Sequence, residues 1–131
     1  MTVTMPIRYI GADEWGALVE GAKQPVLVEF VTQTCPICAT MKVPVEQIAE
    51  RLEGEVRVYR VDVNREQPLA MRYGVQGVPT FMAFCKGLMV ASLAGEVYPA
   101  LLERMVKETL QFGGACASKQ TKVSYDITGY G

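Results

Sequence analysis

The sequence predicts an α/β fold built on a mixed sheet, and three observations carry that expectation. The run Val26-Leu27-Val28-Glu29-Phe30-Val31 is almost continuously apolar, as a strand buried on both faces has to be. Met41, Val45, Ile48 and Leu52 then recur at helical spacing and form one apolar stripe. Two β-rich stretches, Thr80 to Cys85 and Leu88 to Leu93, flank Lys86-Gly87 as a hairpin and lead into a last helical stripe. Strands alternate with helices, and then a hairpin and a helix follow.

The elements can be justified in order. Asp13 to Ala22 places Trp15, Leu18, Val19 and Ala22 on one face of a short helix, which Lys23-Gln24-Pro25 interrupts before the apolar strand. The helix with the Met41 stripe opens at Cys35, contains Pro44 as a local defect, and stops near Gly54. Val56, Val58, Val61 and Val63 mark the next strand. Asn64 is a candidate cap for a short helix to about Tyr73, with Gly74 as its left-handed end. Val97, Leu101, Met105 and Val106 begin the final helix, with Pro99 tolerated in its first turn. From Gly113 the composition turns small and polar. A domain over 1–112 and a tail over 113–131 are therefore expected, with one short added strand at 122–128.

The bulk numbers narrow the function. The chain has 131 residues, 50% of them hydrophobic and 21% charged, which suits a single globular domain. Thirteen basic residues against fourteen acidic ones give a net charge of −1, with no basic block, so nucleic acid is not the expected partner. No run approaches a membrane span, and the first fifteen residues do not read as a secretory leader. A cytoplasmic protein is the expectation. Histidine is absent, which removes Cys-His pairs, Ser-His-Asp triads and the commonest zinc ligand.

Chemistry concentrates in Cys35-Pro36-Ile37-Cys38. A thiol at the opening of a helix sits beside unpaired backbone N–H groups and the positive end of the helix dipole, and both favour the thiolate. Cys38, three residues on, shares that face, at a spacing that permits a disulfide. Cys35 is then the better attacking sulfur and Cys38 the better resolving one. A metal knuckle is the competing reading, but only Cys85 and Cys116 remain as thiols, and they are isolated from each other in sequence. No metal and no organic cofactor is expected. Cys85 reads as a strand cysteine without a task, and Cys116 as a free thiol in the tail, with a Cys85–Cys116 pair as the alternative. Trp15 and Tyr73 read as packing.

Five separated features in register make residues 7 to about 110 resemble the thioredoxin family. They are the apolar strand with one buried acid, the C-x-x-C helix, Gly77-Val78-Pro79-Thr80, and the glycines Gly87 and Gly95. The resemblance implies a thioredoxin fold with a C-terminal extension, and a protein disulfide oxidoreductase that uses a Cys35–Cys38 redox disulfide. It implies Cys35 as nucleophile, Cys38 as resolving thiol, Glu29 as proton relay and Arg60 as the partner of Glu29. It also implies a cis-proline at Pro79 and a substrate groove formed by Thr34, Pro36, Val78, Pro79 and Gly95. The implied partners are protein disulfides and a thioredoxin-reductase-like electron donor, with the protein acting as a monomer. Two departures bear on redox potential and partner choice. Thr34 stands where the family has tryptophan, and Pro36-Ile37 stands where it has Gly-Pro. The alternatives are a non-catalytic peptide-binding module of the same fold and a glutaredoxin-like, metal-binding or cluster-binding protein.

Overall fold

A computed structural model describes residues 7–116, the side chains of 112–116 excepted. The expected strand at 122–128 and the side chain of Cys116 lie outside what it describes. In chain order the elements are β1 (Arg8–Tyr9), α1 (Ala12–Trp15), β2 (Val26–Val31), α2 (Pro36–Arg51), β3 (Arg57–Asp62), α3 (Gln67–Arg72), β4 (Thr80–Cys85), β5 (Leu88–Ala94) and α4 (Pro99–Cys116). The sheet runs β1-β3-β2-β4-β5. The first three strands are parallel, β4 is antiparallel to β2, and β5 is antiparallel to β4. The mixed sheet expected from the sequence is present.

Side-chain alternation divides the core into two layers. Leu27 of β2 joins Phe81, Ala83 and Leu93 against Met41, Val45 and Ile48 of α2 and Leu102, Met105 and Val106 of α4. Val26, Val28 and Phe30 point the other way, towards Trp15, Val19 and Leu69. Helices α2 and α4 therefore cover one face of the sheet, and α1 and α3 the other. Strand β2 is buried along its whole length, which is why its sequence reads as continuous rather than alternating. Each apolar side chain fully buried here contributes about 1.5–3 kcal/mol. Among the described residues, no helix is long and apolar enough to cross a membrane.

Several local expectations are corrected. The first helix is α-helical only to Trp15 and continues as a π-type turn over Gly16–Glu20, closed by the Gly21 N–H donating to the Gly16 carbonyl at 2.8 Å. Its apolar face still packs inward. Asn64 caps nothing. Helix α3 begins three residues later, after Glu66, with Pro68 in its first turn; the Asn64 N–H instead donates to Asp62 Oδ1 at 3.0 Å. The proline makes the later start the natural one, because its missing N–H costs nothing there. Strand β1 went unanticipated, since two residues are too short to show a period. Helix α4 runs through Gly113 and Gly114 to Cys116, where the composition suggested a linker.

Candidate active site

The end of β2 and the start of α2 bring the two cysteines together. Cys35 is the N-cap of α2, with extended backbone (φ −85°, ψ 113°), and Pro36 occupies the first turn. The Cys38 N–H donates to Cys35 Sγ at 3.0 Å. Cys35 and Cys38 are joined as a disulfide, their Cα atoms 5.2 Å apart, well inside the range such bonds occupy. The two sulfurs differ in access. Cys35 is half-buried, while Cys38 is buried at 8% exposure. The more accessible sulfur is thus also the one that accepts a helix N-terminal hydrogen bond, and both properties suit a thiolate nucleophile.

Facing them is the turn before β4. The Val78–Pro79 peptide bond is cis, and the Val78 carbonyl lies 3.8 Å from Cys35 Sγ. Thr80 Oγ1 donates to the Gly77 carbonyl at 2.6 Å and holds the turn closed. The Gly95 N–H donates to the Pro79 carbonyl at 2.8 Å. Gly95 has φ +87°, a conformation side chains disfavour, so glycine there lets the chain after β5 lie against the proline turn. Val78, Pro79 and Gly95 therefore meet at one place, next to Cys35. Thr34 and Pro36 are exposed on the loop and helix start beside it. Ile37 adds an exposed apolar side chain (38%) between the cysteines.

Beneath this surface lies a buried charge pair. Glu29 is 0% exposed and Arg60 3%, and they are register partners on β2 and β3. Arg60 Nε donates to Glu29 Oε1 at 2.8 Å, while Glu29 Oε2 is buried without a hydrogen-bond partner. The Arg60 guanidinium continues towards α2. Its Nη2 donates to the Lys42 carbonyl at 3.3 Å, and its Nη1 lies 3.6 Å from Glu46 Oε2. Lys42 is one helical turn beyond Cys38, so the pair lies on the cysteine-bearing side of the sheet. Burial raises the proton affinity of Glu29 above the usual glutamate range, against the lowering effect of Arg60, and Glu46 raises it further.

Two contributors were missed by sequence reasoning. Asp62, buried at 5%, accepts from Gln33 Nε2 at 3.1 Å and ties the loop before Cys35 to the end of β3. Its position at a strand end, in a stretch ending V-D-V, carries no local sign of burial. Glu46 was the other. Its only signal was its spacing of eight from Cys38, which places it two turns along the same face. Cys85 is buried at the end of β4 and is not free. Among the described residues no group of three or more His, Cys, Asp or Glu side chains could hold a metal ion.

This combination defines a dithiol protein of the thioredoxin fold: a disulfide capping a helix, a cis-proline turn against it and a buried carboxylate below. A sequence model of the thioredoxin family matches residues 7–108, and the chain belongs to that family. It is 26% identical over 102 residues to the chloroplastic thioredoxin M-type of Pisum sativum, covering 78% of this chain and 59% of that one. It is 31% identical over 86 residues to thioredoxin 1 of a Nostoc strain, covering 66% of this chain and 80% of that protein. Among solved structures, a mutant thioredoxin from Halobacterium salinarum superposes with a TM-score of 0.71 at 28% identity, covering 82% of this chain and 95% of that one. The chain thus spans about three fifths of the pea protein's length.

Proposed function

We propose that this protein is a thiol-disulfide oxidoreductase that reduces protein disulfides. The observation that carries the reading is the disulfide at the start of α2, with its accessible sulfur facing the cis-proline turn. In the reduced protein the Cys35 thiolate attacks one sulfur of a substrate disulfide. The substrate S–S bond breaks, a Cys35–substrate bond forms, and one substrate thiolate leaves. Cys38 then attacks Cys35 Sγ, its proton passing to Glu29, and the second substrate thiolate leaves. Two electrons have moved from the dithiol to the substrate, which leaves Cys35–Cys38 oxidised. The proton later leaves Glu29 for solvent.

Supporting groups follow from position. The backbone of Val78 offers hydrogen bonds to an extended substrate segment beside Pro79, and Gly95, Thr34 and Pro36 line the same side. Arg60 keeps Glu29 oriented. A thioredoxin-reductase-like donor would return the electrons, and a reducing cytoplasm is the compartment that suits this direction. All of these groups come from one chain, which fits action as a monomer. The disulfide and its proline turn also favour exchange chemistry over a passive peptide-binding role.

The test is catalysis of insulin reduction by a small dithiol, followed as turbidity from the released B chain. Wild type should speed precipitation many-fold, and Cys35→Ser should return it to the uncatalysed rate. A wild type with no effect would remove the proposal. Turnover that requires glutathione instead would favour the glutaredoxin-like alternative.

A further inference from the structure

Arg60 is shared. Its Nε serves Glu29, its Nη2 serves the Lys42 carbonyl, and its Nη1 approaches Glu46. The two carboxylates differ sharply in access, with side-chain exposures of 0% for Glu29 and 13% for Glu46. The guanidinium satisfies one oxygen of Glu29 and leaves Oε2 buried and bare. A buried carboxylate oxygen with no donor is costly when charged and gains most from taking a proton. The Lys42 carbonyl and Glu46 hold Arg60 towards α2, and this restricts it to Oε1.

The geometry points to Glu46 as a positioning residue for the exchange reaction: by holding the far side of the Arg60 guanidinium, it sets how strongly Glu29 retains the proton taken from Cys38. This inference rests on the relay role proposed for Glu29. The surroundings support it on every side. From β3 the charged group facing Glu29 is Arg60. From α2 it is Glu46, since Lys42 meets the cluster through its backbone carbonyl and its side chain is exposed. Strand β4 places Phe81 opposite Glu29, and α4 packs on this layer through Leu102, Met105 and Val106. Glu46 is therefore the one negative group on the described elements that competes with Glu29 for the same cation. Removing its charge gives Arg60 wholly to Glu29, favours the ionised carboxylate, and lets Cys38 be deprotonated at lower pH.

Stopped-flow reaction of the reduced protein with an aromatic disulfide that releases a coloured thiolate separates the two steps. Attack by Cys35 releases the first thiolate, and attack by Cys38 releases the second. In wild type the second phase should slow on acidification as Glu29 takes a proton. Glu46→Gln should move that acid limb down by roughly half a pH unit or more, while Glu46→Asp, which keeps the charge, should restore most of its position. Glu29→Gln should flatten the limb. A purely structural role for Glu46 would lower the melting temperature and leave the limb where it is. An unmoved limb in folded Glu46→Gln, with a flattened one in Glu29→Gln, overturns the inference and leaves the relay standing. An unchanged limb in Glu29→Gln overturns both.

Discussion

At the scale of single residues, Glu29 carries a cost that the proposed proton relay would explain. An apolar side chain at that position would pack against Phe81 without any desolvation cost, yet the strand carries a carboxylate with one oxygen unsatisfied. Because burial raises its proton affinity in the folded state, its contribution to stability is complete below the ordinary glutamate value. It is lost as pH rises through the raised one. Wild type should therefore lose stability relative to Glu29→Gln as pH climbs above about 4.5. Each unit of raised affinity corresponds to about 1.4 kcal/mol. Urea unfolding of both proteins from acid to mildly alkaline pH checks this, and parallel profiles would contradict it. Arg60 should be the less replaceable partner. Arg60→Met would strip Glu29 of its donor and push its carboxyl further towards the protonated form, and should destabilise the fold at neutral pH by about 3 kcal/mol or more.

Secondary-structure elements show what the packing demands of the chain. The face of the sheet away from the dithiol is held by Trp15, which lies edge-on to Phe84 with ring centroids 5.3 Å apart and donates from Nε1 to the Tyr73 hydroxyl at 3.0 Å. Trp15→Ala should cost about 3–5 kcal/mol in chemical denaturation, and a loss below about 1 kcal/mol would show that the layer collapses around the gap. The β4–β5 hairpin turns through Lys86 and Gly87, both at positive φ (52° and 85°), the pattern a tight hairpin requires. A Cβ on Gly87 would also sit 3.2 Å from the backbone Cα of Glu20. Gly87→Ala should thus destabilise by about 1–2 kcal/mol through strain and crowding together. A thermal melt unchanged from wild type would refute that. Strands β2 and β4 were legible to the residue because an unbroken apolar run has one solution in a two-sided sheet. The π-type turn over Gly16–Glu20 was not, because its apolar face reads the same as that of an α-helix, and the late start of α3 was missed because Asn64 offered a cap ahead of the better local signal, Pro68.

The molecule as a whole was legible where chemistry and local sequence coincide. Cys35 and Cys38 lie in a short motif whose spacing permits a disulfide, the cis-proline at Pro79 was implied by the family resemblance, and the structure brings Val78 and Gly95 to the same place. Glu29 was visible as the single charge in an apolar strand, while its pairing with Arg60 came only from the family resemblance, and the parallel register of β2 and β3 accounts for it. Asp62 and Glu46 were hidden, because burial of a charge depends on which loop or helix lies over it. One contiguous arrangement runs inward from the surface: the dithiol, the proline turn against it, and the Glu29–Arg60 pair that α2 contacts from above. The proposed division of labour between the two cysteines is open to a direct trapping experiment. Reduced Cys35→Ser and Cys38→Ser proteins are each mixed with an oxidised protein substrate, run without reductant, and any adduct is mapped by mass spectrometry. Cys38→Ser should carry the substrate on Cys35 and release it on reduction, while Cys35→Ser carries none. An adduct on Cys38 of the Cys35→Ser protein with none on Cys35 of the other, or no adduct in either, would contradict the account.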